Sequence, residues 1–387
     1  MIVALVRGEQ QEELMSRILA VGTALPTFRI SQTEAKVLAG RHFGSRMEKL
    51  KRYLTVFDNT LVDQRFFCVA PEWLLSEHRI SETNQIYLEC AKELACKATV
   101  LCLNRAGVKP EHVDRIIFVS SSGIATPSLD VDVISKVGLR TNVRQTPIFG
   151  LRCAGGASGV SLAGAICRAT SERVLLIAVE LTSLTFQPND LTPKNVVASS
   201  LFGDGAAALL IGPAESGSGK LGIVRNTSLL YPDSTSLMGW HFGDAGFEVV
   251  VSERIPSMIS ELMPHALRSL LAEDGIHSNQ AKSLIFHPGG RKVLDVCEQG
   301  LGRSSENFFS SYETLRRHGN MSSATVLFVL DHVLEHEEQA PGSYGILAAF
   351  GPGFSAELSL LKWVDSEAAQ RGSAHLESVG DRLARIA

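Results

Sequence analysis

Three residues in this chain are of types, and in settings, that could share one reaction: a cysteine, a histidine and an asparagine. Cys153 ends an apolar segment in TPIFGLRCAGGASGVSLAGAI and is followed at once by a Gly/Ala/Ser-rich helix start. A thiol at a helix N-terminus feels the positive end of the backbone dipole, which lowers its pKa and favours thiolate. The small residues behind it let that helix pass through a crowded interior. The ordinary alternative, a buried thiol acting as a small hydrophobe, suits Cys68, Cys90, Cys96, Cys102, Cys167 and Cys297. His287 closes the apolar run of LIFHPGG, where Pro-Gly-Gly makes a stiff turn. Such a turn could hold an imidazole in a pocket, or simply let it bond backbone. Asn320 lies in RHGNMSSATVLFVLDHV ahead of an apolar helix. Its side chain is either an N-cap or an amide donor aimed into a cavity.

Together these groups suit thioester chemistry. A Cys thiolate accepts an acyl group from a thioester, and a neighbouring His stabilises it as an ion pair. His and Asn donors then stabilise the oxyanion formed when a malonyl thioester loses carbon dioxide, and the carbanion attacks the acyl-cysteine. That reaction needs no metal and no bound organic cofactor.

The elements that must position these groups read as mixed α/β. Short Val/Ile-rich runs predict strands at 17–22, 115–120, 173–178, 206–211, 283–286, 345–350 and 355–362. Helices are expected at 84–106, 155–169, 254–273 and 323–334. The two halves echo one another: DRIIFVSSSG with KSLIFHPGG, the helix start after Cys153 with that after Asn320, and GAAALLIGP with GILAAFGPG. An internal duplication explains this economically. The expected division is an N-terminal extension (1–15), a half carrying the cysteine (16–220), a half carrying His and Asn (221–363) and a tail (364–387). The join falls at SGSG. The tail reads as a helix with Leu376, Val379, Leu383 and Ile386 on one stripe.

A length of 387 residues exceeds the usual size of a single core, in keeping with two halves. A net charge of −4 provides no basic field for nucleic acid. No run reaches the roughly eighteen apolar residues of a membrane span. The N-terminal MIVALVRGEQQEELM has too short an apolar stretch for a secretory signal, so a cytoplasmic location is expected. Seven cysteines, with no C-x-x-C pair and no metal-type Cys/His spacing, fit a reducing compartment.

Five ordered strings, RCAGGASG, LFGDGAAALLIG, FHPGG, GNMSSATVLFVLD and FGPGFSAE, run at family-like spacing between about Ser16 and Trp363. In them the chain resembles the type III polyketide synthases, the chalcone synthase-like branch of the thiolase superfamily. The resemblance implies a thiolase-like α/β fold, a layered αβαβα sandwich of two similar halves, assembled as a homodimer. It implies Cys153 as nucleophile with His287 and Asn320 completing the triad, and Phe202 as an aromatic gatekeeper that excludes water. Malonyl-CoA and an acyl-CoA are the implied substrates, with no cofactor and no metal. The loop GPGFSAE, with Gly351 and Phe354, and Ser322 beside Asn320 match the cyclisation cavity. Lys49, Lys51 and Arg52 in EKLKRYL match the basic mouth of the CoA tunnel, although two further basic positions are Thr55 and Asn59 here.

Departures bear on the starter. Val249 stands where the plant enzymes have a second gatekeeper Phe, Thr126 stands at a loop Met that crosses the dimer interface, and Thr182 and Thr185 take cavity-lining positions. Loss of the Phe opens space for a long flexible starter. GIATPSLD and MGWHFGDAGF look like bacterial members that take fatty acyl starters and make alkylpyrones or alkylresorcinols. The expected activity is therefore iterative decarboxylative condensation of malonyl-CoA onto a medium- or long-chain fatty acyl-CoA, with ring closure. Two rivals share the fold: a single-round ketoacyl or hydroxymethylglutaryl-CoA synthase, the latter wanting a Glu base, and a silent scaffold, which would have lost a triad residue.

Overall fold

Strands covered on both faces are apolar at nearly every position, and VLLIAVEL, with Glu180 its one charged residue, is such a strand. Its Val174, Leu176 and Ala178 face one core while Leu175, Ile177 and Val179 face another. The computed structural model describes residues 15–44, 46, 50–214, 219–244, 246–272 and 275–364, without the side chains of 50 and 51. The expected N-terminal extension up to residue 14, the join at 215–218 and the striped tail lie outside the described residues.

In chain order the first half comprises β1 (Ser16–Ala24), β2 (Phe28–Ser31), α1 (Gln32–Phe43), α2 (Leu50–Asn59), β3 (Gln64–Phe67), α3 (Ile80–Ala106), β4 (Arg115–Val119), α4 (Asp130–Val137), β5 (Arg144–Ile148), α5 (Gly155–Thr170), β6 (Val174–Leu181), α6 (Pro193–Leu201) and β7 (Asp204–Gly212). The second comprises β8 (Leu221–Leu230), β9 (Met238–Gly243), β10 (Gly246–Val251), α7 (Ile255–Leu271), β11 (Ala281–Phe286), α8 (Arg291–Leu301), α9 (Phe309–His318), α10 (Thr325–His336), β12 (Tyr344–Gly351) and β13 (Ser355–Trp363). Every strand and helix expected between residues 17 and 362 is present, with ends shifted by a few residues. The additional elements are mainly short helices, half-exposed strands, the antiparallel pair β2–β3 and the hairpin β9–β10.

The large sheet runs β11-β12-β13-β8-β1-β7-β6-β4-β5. Its two sides mirror each other: β4 and β6 pair in parallel as β11 and β12 do, and β7 and β13 each return antiparallel. The sides meet where β1 pairs with β8 through Ser16↔Ile223, Arg17↔Gly222 and Ile18↔Leu221. Helices α5 and α10 fill the central core between the two sides. Helix α3 covers the outer face of the first side, and α7 and α8 cover the second. The layers are helix, sheet, helix, sheet, helix, the expected sandwich of two similar halves.

Topology corrects one of the three echoes. β4 corresponds to β11 and α5 to α10, but GAAALLIGP is β7, whose counterpart is β13. GILAAFGPG is β12, the counterpart of β6. Apolar central strands of similar composition matched without sharing a place in the fold.

The small residues at the start of α5 are required by contact. A Cβ on Gly155 would sit 2.6 Å from Val119 Cγ1, and one on Gly156 would meet the Ser323 carbonyl and stand 2.7 Å from Val326 Cγ1. The obstructing carbonyl belongs to the turn that opens α10, so neither neighbour can swing aside cheaply. Gly156→Ala is therefore expected to destabilise the fold by about 1–3 kcal/mol through overpacking, despite the better helix propensity of Ala. Chemical denaturation checks this; an unchanged or raised midpoint would contradict the close approach.

Candidate active site

Two short 3-10 turns, Arg152–Ala154 and Ser322–Ala324, precede α5 and α10 at matching places in the two halves. Each opens on a non-glycine residue with left-handed backbone, Arg152 at φ 44° and Ser322 at φ 51°. Such conformations are held only when surrounding contacts over-determine them. They place Cys153 and Asn320 face to face, with Cys153 Sγ 4.0 Å from Asn320 Oδ1.

Asn320 is 3% exposed and is gripped from three directions. Its Oδ1 accepts from Ser322 N at 2.8 Å, and its Nδ2 donates to Gly289 O at 3.3 Å. Its backbone pairs with the chain around Phe202: Asn320 N donates to Leu201 O at 2.9 Å, and Gly203 N donates to Asn320 O at 3.0 Å. The side chain thus braces the turn before α10 with its Oδ1 towards the cysteine, while its amide N–H donates to Gly289 O.

His287 is 3% exposed and follows β11, with its N donating to Ala348 O at 2.8 Å. Neither ring nitrogen has a partner among the described residues, and burial pulls the imidazole down to about 3. Desolvation therefore favours the neutral imidazole while Cys153 is a neutral thiol.

Burial pushes the Cys153 thiol up from its ordinary value, and the Arg152 charge is the largest opposing influence. The dipole argument from sequence omitted this desolvation. Glu180, at the end of β6, adds negative charge nearby. Its oxygens accept from Ser121 N at 3.1 Å and Ser323 Oγ at 2.7 Å, and burial raises its pKa against those bonds. Glu180, Arg152, Arg65 and Asp204 escaped the sequence reading. Asp204 accepts from Cys68 N at 2.9 Å and Ser183 Oγ at 2.5 Å, tying the ends of β3 and β6 to β7. Arg65, 1% exposed, donates to Ser199 O at 2.6 Å and Phe202 O at 2.9 Å. The signal for Arg152 was present in RCAGG: a cation beside a candidate thiolate.

Phe202, Thr182, Thr185 and Val249 line one apolar pocket, whose far wall includes Leu38, Phe43 and Phe57 of α1 and α2. Its cavity volume is about 80 Å³, and it is partly open to solvent. Thr182 and Thr185 turn their hydroxyls to backbone, Thr182 to Gly203 O at 2.6 Å and Thr185 to Thr182 O at 2.7 Å. Their remaining surface is thereby less polar than the residue type suggests.

The remaining expected cavity residues are not in the lining of that pocket. Thr126 is exposed on its loop. Phe354 is fully buried in the second-half core against Phe350, because its ring is needed to cover the C-terminal sheet. Gly351 packs on the cysteine turn, where a Cβ would lie 2.5 Å from Ala154 Cβ. Ser322 is buried beside Asn320. Of the basic group, Lys49 and the Lys51 side chain lie outside the described residues, and Arg52 is exposed on α2.

Comparison with known proteins agrees with this geometry. Residues 4–215 match the family of chalcone and stilbene synthases, N-terminal domain, and 223–365 match its C-terminal domain. The 1,3,6,8-tetrahydroxynaphthalene synthase of Streptomyces peucetius subsp. caesius is 35% identical over 353 residues, covering 89% of this chain and 93% of the relative. The crystal structure of 1,3,6,8-tetrahydroxynaphthalene synthase from Streptomyces coelicolor A3(2), a bacterial type III polyketide synthase, superposes with a TM-score of 0.86 at 30% identity, covering 90% of this chain and 99% of that one. The C-terminal type III polyketide synthase domain of Steely1 from Dictyostelium superposes with a TM-score of 0.84 at 26% identity, covering 91% and 100%. With both halves matched in order across a thiolase-type sandwich, the chain belongs to the chalcone and stilbene synthase family of type III polyketide synthases, which are condensing acyltransferases.

Proposed function

We propose that this enzyme primes on a medium- or long-chain fatty acyl-CoA, extends it with malonyl-CoA and closes the product to an alkylpyrone or alkylresorcinol. The observation that carries the reading is the apolar pocket with Phe202, Thr182, Thr185 and Val249 on one wall and the rings of Phe43 and Phe57 on the other. Such a lining suits an alkyl chain, and each buried methylene contributes about 0.8 kcal/mol. Cys153 takes the acyl group as its thiolate attacks the thioester carbonyl and CoA leaves. Malonyl-CoA then loses carbon dioxide, and donors from His287 and Asn320 stabilise the enolate oxygen. The enolate carbon attacks the acyl-cysteine, expelling the Cys153 thiolate and leaving the lengthened chain on CoA. A neutral imidazole is the form of His287 that can donate one ring N–H while adding no net charge. We read the chain as working as a homodimer: β5 is the sheet edge, and Ile124, Val131 and Phe149 expose apolar surface close to it in sequence.

The relatives named above support a second reading, a small polyhydroxylated aromatic product. Labelled malonyl-CoA offered with a panel of acyl-CoAs, and products read by mass spectrometry, separates the two. Incorporation of label without any dependence on acyl-CoA would overturn the fatty-starter reading.

Val249→Phe is expected to shorten the preferred starter while bare malonyl decarboxylation stays at its wild-type rate. In the wild type, kcat/KM rises with acyl length and then falls once the pocket is full. An unchanged length profile in the variant would remove Val249 from the selectivity wall.

Asn320→Ala is expected to slow malonyl decarboxylation about 100-fold, the loss of one oxyanion donor at about 3 kcal/mol, while acyl loading of Cys153 is affected less. Cys153→Gln should block loading yet retain decarboxylation, its amide imitating the acylated state. Acylation of another cysteine with product still forming would sink the assignment of the nucleophile.

The state of His287 has its own test. Its folded-state pKa of about 3 lies below the ordinary 6.5, so the unfolded chain binds a proton that the fold refuses. Stability from this group is full above about pH 6.5 and is lost as the pH falls towards 3, at about 1.4 kcal/mol per pH unit. Asp204 and Asp331, each pushed up to about 6 by burial, act in the opposite sense. The informative quantity is therefore the difference between wild type and His287→Gln in denaturation curves from about pH 6 to pH 4. Wild type should lose ground to the variant as pH falls; parallel curves would mean the fold admits a charged ring.

A further inference from the structure

Two buried guanidiniums flank Phe202, and they hold different parts of it. Arg152 faces the ring: its Cζ lies 5.7 Å from the Phe202 ring centre and 3.7 Å from that of Trp240, and Nη1 donates to Gly239 O at 2.7 Å. Arg65, on β3, holds the backbone. A helix leaves its last carbonyls without partners of its own, and at the end of α6 each one is met from elsewhere. Nη1 of Arg65 donates to Ser199 O at 2.6 Å and to Phe202 O at 2.9 Å. Gln32 Nε2 donates to Ser200 O at 2.8 Å, and Asn320 N donates to Leu201 O at 2.9 Å.

The stem of Arg65 fills space that two glycines leave. A Cβ on Gly319 would stand 2.8 Å from Arg65 Cγ and 2.7 Å from Leu201 O. One on Gly203 would stand 3.4 Å from Arg65 Cβ and 2.7 Å from His318 O. These glycines flank the bridge in which Phe202 and Asn320 pair in parallel. Arg65 therefore packs on both chains of that bridge and bonds to one of them. Stability alone does not account for a cation here. Arg65 is 1% exposed, and its Nε and Nη2 have no partner among the described residues. A methionine would occupy the same stem without the cost of desolvating a charge. Burial pulls the guanidinium down to about 9, which leaves it charged at neutral pH.

We propose that Arg65 is a positioning residue for malonyl decarboxylation. By fixing the end of α6 it holds the Phe202–Asn320 bridge, and through it the Asn320 amide, where the enolate oxygen forms. This role rests on Asn320 acting as the enolate donor of the reading above. No bond forms or breaks at the guanidinium. The Cys153 turn is secured separately, by the packing of Gly155 and Gly156 on α10 and of Gly351 on Ala154. A change at Arg65 should therefore spare the nucleophile.

The test compares wild type, Arg65→Met and Arg65→Lys in the full-length protein. Decarboxylation of malonyl-CoA without a starter is read beside alkylation of Cys153 by iodoacetamide. Arg65→Met keeps the stem and loses the donors, so kcat for decarboxylation should fall about tenfold or more. KM should stay within about threefold and the alkylation rate within about twofold. Arg65→Lys brings its ammonium one bond short of the two carbonyls and should lose about threefold in kcat. The decisive measurement is a double-mutant cycle. Added to Asn320→Ala, Arg65→Met should slow decarboxylation by less than about threefold, because the amide it positions is gone. Wild-type kcat in Arg65→Met overturns the proposal, as does an equal loss with and without the Asn320 amide, or alkylation that falls in step with decarboxylation. If Arg65→Met does not fold, the cycle is run with Arg65→Lys, and an unchanged kcat there overturns it equally. Asn320→Ala alone separates the two failures: wild-type decarboxylation in that variant removes the role of Asn320 itself, whereas a slow Asn320→Ala beside a fast Arg65→Met removes only the arginine's.

Discussion

Two helix starts meet at the centre of this molecule with no room for a side chain between them, and the geometry of the site hangs on that contact. Gly155 and Gly156 of α5 press on Val119, Ser323 and Val326, so the turns before α5 and α10 cannot separate or slide. Cys153 and Asn320 occupy those turns, one from each half, and inherit their spacing from backbone packing rather than from a bond between them. The left-handed residues Arg152 and Ser322 are the local cost of the arrangement. Close-packed interiors transmit such constraints because their parts are bistable rather than freely deformable.

Dryness sets the electrostatics. Burial alone disfavours every charged form present: thiolate, imidazolium, carboxylate and guanidinium alike. What survives is decided by pairing. Glu180 and Asp204 are held by hydroxyls and backbone amides, and Arg65 rests against two carbonyls that include that of Phe202. The imidazole of His287 has no such support and stays neutral. The site therefore combines a neutral ring, a polarised amide and one clamped cation within a wall that is otherwise apolar.

Much of this was legible in the sequence. Long apolar strands and the small-residue helix after Cys153 announce themselves because burial on both faces leaves little freedom of composition. Cys153, His287 and Asn320 drew notice through their punctuation: a Gly-rich helix start, a Pro-Gly-Gly turn and a Gly-Asn before an apolar helix. The short hairpin β9–β10 was missed because half-exposed strands carry mixed residues. Phe354 looked like a cavity residue on its loop, yet its ring belongs to the core; local motif cannot distinguish the two when a loop folds inward. The match of β7 with β12 failed for a related reason, since apolar strands of one sheet resemble one another whatever their place. Desolvation at Cys153 and the enclosure of Arg152 depend on residues from four distant segments, and no local window contains them.

The hairpin has a consequence for how such enzymes diversify. Val249 on β10 is the direct cross-strand partner of Trp240 on β9. One of the pair lines the apolar pocket, and the other lies against the Arg152 guanidinium beside Cys153. Directly opposed residues of an antiparallel pair share packing, so their substitutions are not independent. An evolutionary path that reshapes the pocket at position 249 changes which residues are tolerated at 240, and the order of the two steps matters. Pocket shape and the packing of Arg152 are thus tied by a single rung of a two-stranded ladder that otherwise stands apart from the main sheet.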